Sequence, residues 1–176
     1  MGQLKSRLEA KGIKVIVTAP GSSESNGKVE RKTRTVLEAA RAMTVLANLP
    51  HTFFLHACVY VAHILNYTPD KRNPKSLKYP ERHLSAVEMW SNQDFGSTSD
   101  LLSHLRVFGC LAFAILPGIT DVAGKQATKG ERCIVLGISS DNHKNYELYS
   151  LDRGKFVLAR SVVTNENQFP YRSMYS

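Results

Sequence analysis

Hydrophobic positions follow a helical period in the front half of this chain and an alternating one in the back half. Residues 4–10 predict a short helix closed by Gly12, after which Ile13, Val15 and Val17 share one face of a strand and Ile16 points opposite. A Pro/Gly/Ser-rich turn covers 19–27, with Asn26 placed to cap a second, longer helix. Over 28–47, Val29, Thr33, Val36, Ala40, Met43 and Ala47 recur as the apolar stripe of that helix. Lys28, Arg31 and Lys32 fall on its far side, and Glu30, Arg34 and Arg41 on a third face. Another helix over 52–66 carries Phe54, Cys58, Val61 and Leu65 and is apolar on most sides, the pattern of a helix buried between neighbours. The turn Asn48-Leu49-Pro50 predicts that these two helices pack as a hairpin.

Beyond the hairpin, Pro69, Pro74 and Pro80 alternate with Lys71, Arg72, Lys75, Lys78 and Arg82, which rules out a long helix and predicts a basic connector that proteases reach first. A short helix over 85–90 and a polar loop over 91–100 come next. From Arg106 onward the pattern is that of strands, over 107–115, 133–138, 146–151 and 156–163, separated by Gly, Pro, Asp and Asn loops. Short strands so spaced predict a small barrel, with Phe108 anchoring its first strand and Trp90 packing the connector.

Charge changes this picture more than size does. The 176 residues suffice for one medium core or two small ones, and 43% hydrophobic with 22% charged residues is ordinary for a globular protein. A formal net charge of +8 and a pI near 9.5, however, predict a surface that attracts polyanions, nucleic acid foremost. The most apolar run, 53–65, is too short to span a bilayer and contains His56 and His63, so no membrane association is expected. No secretory leader is evident at the N-terminus, which points to an intracellular address, and the basic connector offers a weakly specified nuclear-import signal. Cys58, Cys110 and Cys133 lack paired spacing and sit among apolar neighbours, as reduced core residues do. His56 and His63, seven positions apart, do not have the adjacent-turn spacing of a metal pair.

The stretch Asn26-Gly27-Lys28-Val29-Glu30-Arg31-Lys32-Thr33-Arg34-Thr35 resembles the end of the catalytic core of copia-type retrotransposon integrases, whose pattern reads N-G-x-x-E-R-x-x-R-T. The likeness extends through Leu37-Glu38-Ala39-Ala40-Arg41-Ala42-Met43, Ala47-Asn48-Leu49-Pro50, Leu65-Asn66-Tyr67-Thr68-Pro69 and Ser85-Ala86-Val87-Glu88-Met89-Trp90. Ser103-His104-Leu105-Arg106-Val107-Phe108-Gly109-Cys110 is its most specific match, and Cys133-Ile134-Val135-Leu136-Gly137 comes after it in the same order. Phe54, Ala86 and Ile138 depart from the family's usual Trp, Pro and Tyr.

That resemblance implies an α+β fold: a truncated ribonuclease H-like integrase core over 1–66, a connector with a short helix over 67–104, and an SH3-like barrel over 105–176. It also implies Glu30 as the last carboxylate of an Asp-Asp-Glu set that holds magnesium or manganese in a complete enzyme and moves phosphodiester bonds during DNA integration. The two Asp partners precede the stretch seen here, so the isolated chain is expected to be non-catalytic, to need no cofactor, and to keep Glu30 as a helix residue within i,i+4 reach of Arg34. Lys28, Arg31, Lys32, Arg34 and Arg41 are the expected DNA contacts, directed at phosphates and tolerant of sequence. Two alternatives stand beside this reading. An upstream segment or another chain supplies the missing Asp residues; or the chain is a scaffold that associates with itself or with intact integrase. The second is expected because the faces of Ile13, Val15 and Val17 and of Val36, Ala40 and Met43, which the rest of the sheet would cover in a complete core, should here lie exposed beside an unpaired strand edge.

Overall fold

The computed structural model describes residues 2–14, 27–97, 102–115, 130–139 and 145–174. The chain forms two compact units, Met1–Thr35 and Val36–Ser176. These boundaries fall elsewhere than the expected segments 1–66, 67–104 and 105–176, because the helix over 52–66 and the sheet share one core.

In the first unit, α1 (Gly2–Glu9) ends in a left-handed turn at Gly12, φ 74°. The amide of Gly12 donates to the Glu9 carbonyl and that of Ile13 to the Leu8 carbonyl, which satisfies the last carbonyls of the helix as the sequence predicts. Ile13 and Lys14 are exposed and lie outside any strand, while the rest of the expected strand, with Val15 and Val17, and the expected cap Asn26 fall outside the described residues.

Helix α2 (Gly27–Leu46) is built from good helix formers and contains the boundary between the units. Asn48 stops it in a left-handed conformation, φ 52°, with the Asn48 and Leu49 amides donating to the Val45 and Thr44 carbonyls before Pro50. One 3-10 turn (His51–Phe53) leads into α3 (Phe54–Tyr67). Within the second unit, Ala40 of α2 is fully buried, and Val36 and Met43 pack against the same core as Phe53, Ala57, Tyr60 and Val61. The expected uncovered face at Val36, Ala40 and Met43 is therefore covered. Other apolar side chains of these helices do reach water, Val29, Val45 and Leu46 on α2 and Leu55 and Val59 on α3, so α3 is not enclosed on all sides.

Five antiparallel strands complete the fold: β1 (Leu111–Ala114), β2 (Glu131–Ile138), β3 (Tyr146–Ser150), β4 (Lys155–Ala159) and β5 (Val162–Asn165), in the order β4-β3-β2-β1-β5. Sequence predicts one strand over 156–163, but the chain turns at Arg160-Ser161, and its hydrogen-bonding partner changes from β3 to β1. That turn also fixes the shape. In a flat sheet the two edge strands would stand four spacings of about 4.8 Å apart, roughly 19 Å. Two linking residues make three Cα steps and span at most about 11 Å. The sheet must therefore curl until β4 meets β5, which makes a small barrel.

Alternation along β2 joins two cores. Ile134, Leu136 and Ile138 face the helices, and Cys133 and Val135 face inward with Cys110, Ala112, Ala114, Leu148 and Ala159. Strand β2 is accordingly buried on both sides. A bulge between Val135 and Gly137 lets the backbone pass Tyr60, whose Cδ2 would lie 3.3 Å from a Cβ at Gly137. Phe53 adds edge-to-face contacts with Tyr149 at 5.1 Å and with Tyr171, on the short terminal helix α5 (Pro170–Met174), at 5.9 Å. Cys110 and Cys133 are buried free thiols, pushed up by that burial to about 12 and about 11. No helix among the described residues is long and apolar enough to cross a membrane.

Candidate nucleic-acid interface

The five sequence-predicted positions at the start of α2 all reach solvent: Lys28, Glu30, Arg31, Lys32 and Arg34. A helical step of about 100° sets Lys28 beside Lys32 and Glu30 beside Arg34, one turn apart in each case. Arg31 is turned back, its Nε donating to the Gly27 carbonyl at 3.1 Å, and so occupies an acceptor in the first turn. Arg41 is likewise exposed, in the second unit. Glu30 is the acidic residue of the first turn of α2, where the helix dipole favours a negative charge. Among the described residues no ion pair joins Glu30 to Arg34, and no group of three His, Cys, Asp or Glu side chains converges to hold a metal ion. A two-ion site needs several carboxylates around it, and the described residues do not fit one.

The connector holds the most extensive polar network among the described residues. Its two limbs pair through bridges at Pro69–Ser85 and Lys75–His83, and the Leu84 amide donates to the Pro74 carbonyl at 2.9 Å. Arg82, 7% exposed, donates from Nη1 and Nη2 to both oxygens of Glu88, at 2.9 and 2.6 Å, and from Nη2 to Asp94 Oδ1 at 2.8 Å. Its Nε donates to the Gly96 carbonyl at 2.9 Å, and Ser76 hydrogen-bonds Asp94 from the other limb. Burial alone would push Glu88 up, but the Arg82 guanidinium and the amides of Ser85 and Phe95 prevail and bring it down to about 2. The connector is therefore tied from Ser76 to Gly96, contrary to the open segment expected from its prolines.

This network sets helix α4 (Ala86–Ser91) in place. Ser85 caps it, the Glu88 amide donating to Ser85 Oγ while Glu88 accepts from the Ser85 amide, and Asn92 ends it in the left-handed region at φ 52°. An S-x-x-E pattern before an apolar pair is a readable signal of such a cap, and it marks Glu88 as structural. Arg82 and Asp94 carry no comparable signal, since charges scattered among prolines look like a solvated loop.

Between the end of α3 and α4 lies a cleft of about 370 Å³, lined by His63, Asn66, Tyr67, Ala86, Val87 and Trp90. His63 stacks on Tyr67 with ring centroids 4.5 Å apart, and its Nε2 lies 3.2 Å from Nε2 of His104, which also meets the Tyr67 ring edge-on. Trp90 does not pack the connector as its residue type suggested: it is 92% exposed. Phe108, by contrast, is buried as expected, at 3%.

A five-stranded barrel backed by α3 and the second half of α2 defines the class of the molecule, an SH3-like module joined to a helical segment. Residues 110–176 match the family of retroviral polymerase SH3-like domains. Over 157 residues, 89% of the chain, it is 32% identical to the Retrovirus-related Pol polyprotein from transposon TNT 1-94 of Nicotiana tabacum, and covers 11% of that protein. It is 28% identical over 160 residues, 91% of the chain and 10% of the relative, to the Retrovirus-related Pol polyprotein from transposon RE1 of Arabidopsis thaliana. To that of transposon RE2 from the same plant it is 25% identical over 168 residues, 96% of the chain and 10% of the relative. No solved structure matches. The chain is similar to a region of copia-type retrotransposon Pol polyproteins that includes their SH3-like domain, and spans about a tenth of the length of these relatives.

Proposed function

We propose that this chain is the nucleic-acid-binding end of a copia-type integrase, associated with DNA integration and without catalytic activity of its own as the isolated 176-residue polypeptide. In this reading α2 and α3 derive from the end of a ribonuclease H-like core. The observation that carries it is the exposed set Lys28, Arg31, Lys32 and Arg34 around Glu30 on one helix of a chain with net charge +8, with no metal-holding group of carboxylates among the described residues. Such side chains neutralise phosphates and release condensed counterions, so they supply affinity without reading bases.

Anisotropy titrations of a labelled duplex across a salt series test this. Affinity should fall steeply with salt, and Lys28→Ala with Lys32→Ala should flatten the log-log slope by about 2, close to one for each phosphate no longer neutralised. Affinity that does not fall as salt rises would refute phosphate binding. A second reading, in which carboxylates from another polypeptide complete an active site, is favoured by the exposure of Glu30 at the start of its helix. Magnesium- or manganese-dependent strand transfer by the isolated chain, abolished by Glu30→Gln, would instead refute the non-catalytic assignment.

A further inference from the structure

The most anomalous side chain in the described residues is Trp90. Burying an indole is among the larger apolar gains open to a small protein. Here α4 is fixed by a capping box and a buried guanidinium, and still presents its indole to solvent at 92% exposure. The indole stands at the rim of the cleft that the stacked rings of His63 and Tyr67 line on the opposite helix. From this arrangement we propose that the cleft is a stacking site for one unpaired nucleobase, so that the chain holds single-stranded nucleic acid at a place separate from the phosphate contacts of α2.

Three observations converge on that occupant. The cleft, about 370 Å³, lies at the low end of the roughly 300–1,000 Å³ of ligand pockets, which suits one planar heterocycle and excludes a paired duplex. Its lining offers flat π-faces together with Asn66, an exposed amide that brings one acceptor and two donors to the rim and can meet the polar edge of a base. Its surroundings complement a polyanion. The net charge is +8, and Lys71 and Lys75 are exposed on the connector limb that leaves Tyr67 and is bridged back to Ser85 at the start of α4. A base stacked on an indole with its backbone passing over lysines is the general mode by which proteins hold single strands. An apolar peptide would use the indole and leave the lysines without a partner.

The proposal rests on the nucleic-acid-binding reading, and a paired experiment separates the two. Trp90 is the sole tryptophan of the chain, so indole emission reports on this cleft alone. The intact chain is titrated with a short single-stranded oligothymidylate and with a duplex of equal length, monitoring both tryptophan emission and the anisotropy of an end label. The single strand should quench Trp90 and the duplex should not. Trp90→Ala should weaken single-strand binding about tenfold and leave duplex binding unchanged, and Trp90→Phe should restore most of the loss. Because the side chain is exposed, neither variant should alter the circular dichroism spectrum. Binding of the strand with unchanged Trp90 emission and unaltered affinity of Trp90→Ala overturns the stacking site while the phosphate reading stands. Equal quenching by the duplex overturns the selection of an unpaired base. Absence of binding by either probe overturns both readings.

Discussion

Replacing Arg82 by Met is the most informative single change the structure suggests. The side chain is 6% exposed, and its ion-pair partner Glu88 is fully enclosed. Removing the guanidinium deletes three hydrogen bonds to carboxylates, two to Glu88 and one to Asp94, together with those from Nε and Nη2 to the Gly96 carbonyl and from Nη1 to the His83 carbonyl. Methionine restores the apolar stem but leaves a buried carboxylate whose remaining partners are the Ser85 hydroxyl and the Ser85 and Phe95 amides. Removing one partner of a buried pair costs about 3–5 kcal/mol, because the other charge is stranded out of water. With a urea m-value of ~2 kcal/mol/M, the unfolding midpoint measured by circular dichroism should fall by about 2 M. A domain stable by ~5–15 kcal/mol would remain folded at neutral pH but visibly weakened. Limited proteolysis gives the local readout: the wild-type chain should resist cleavage over 76–96, and Arg82→Met should open that segment first. A loss below ~1 kcal/mol, the size of an exposed ion pair, would show that solvent reaches the network and that it does not organise the connector.

The same network predicts an acid limb of stability. Glu88 is held at about 2 in the folded chain against an ordinary 4.5, so its contribution is complete above pH 4.5 and disappears as pH falls toward 2. A difference of that size amounts to about 3 kcal/mol, and a pH series of unfolding midpoints should show the loss in wild type and a much shallower one in Arg82→Met. At Gly109, φ is 77°, and an added Cβ would lie 2.4 Å from the Cβ of Ala47 and 3.2 Å from Leu49 Cδ1. Gly109→Ala should therefore cost about 3 kcal/mol in backbone strain and overpacking, lowering the melting temperature by about 6–12 °C; an unchanged melting point would mean that Ala47 and Leu49 do not press on this turn.

The sequence conveyed the helices more faithfully than the polar architecture. The Gly12 and Asn48-Leu49-Pro50 stops are local chemistry, readable because left-handed residues and proline act within one turn. Stripe residues such as Ala40 and Met43 were legible as an apolar face, but what covers that face was not, since contact with a sheet a hundred residues away has no periodic trace. Strand β1 begins only at Leu111 because the Phe108-Gly109 turn interrupts an apolar run that alternation alone would continue. The corner at Arg160-Ser161 was hidden for a related reason: side chains keep alternating across it while the backbone exchanges partners. Trp90 misled through composition, since an isolated Trp in a polar segment implies packing unless the surroundings are known. Helix α5 and the His63–His104 contact gave no sequence signal, the latter joining residues 41 positions apart.

The best-matching sequence motif and the chemistry occupy different parts of the chain, and residues 103–110 show why. His104 contacts His63, and its carbonyl accepts from the Tyr146 hydroxyl at 2.8 Å. The Arg106 amide donates to the Tyr60 hydroxyl, which in turn donates to the Arg106 carbonyl at 2.6 Å, and burial pushes that phenol up to about 12. Phe108 fills the core, Gly109 donates to the Val135 carbonyl at 2.7 Å against Ala47 and Leu49 just past α2, and Cys110 is sealed inside the barrel. His104, Phe108 and Gly109 lie between the helical segment and β2 or β3, while Cys110 is held within the barrel, and each is restricted by packing or hydrogen bonding on more than one side. An exposed cation on α2 is restricted only by its charge, so that Lys and Arg serve nearly alike and spacing can drift without loss of phosphate attraction. The most specific of the sequence matches therefore falls on the joint that holds the barrel to its helices, rather than on the exposed cations. The proposed nucleic-acid contacts are tested by salt dependence and by the emission of Trp90.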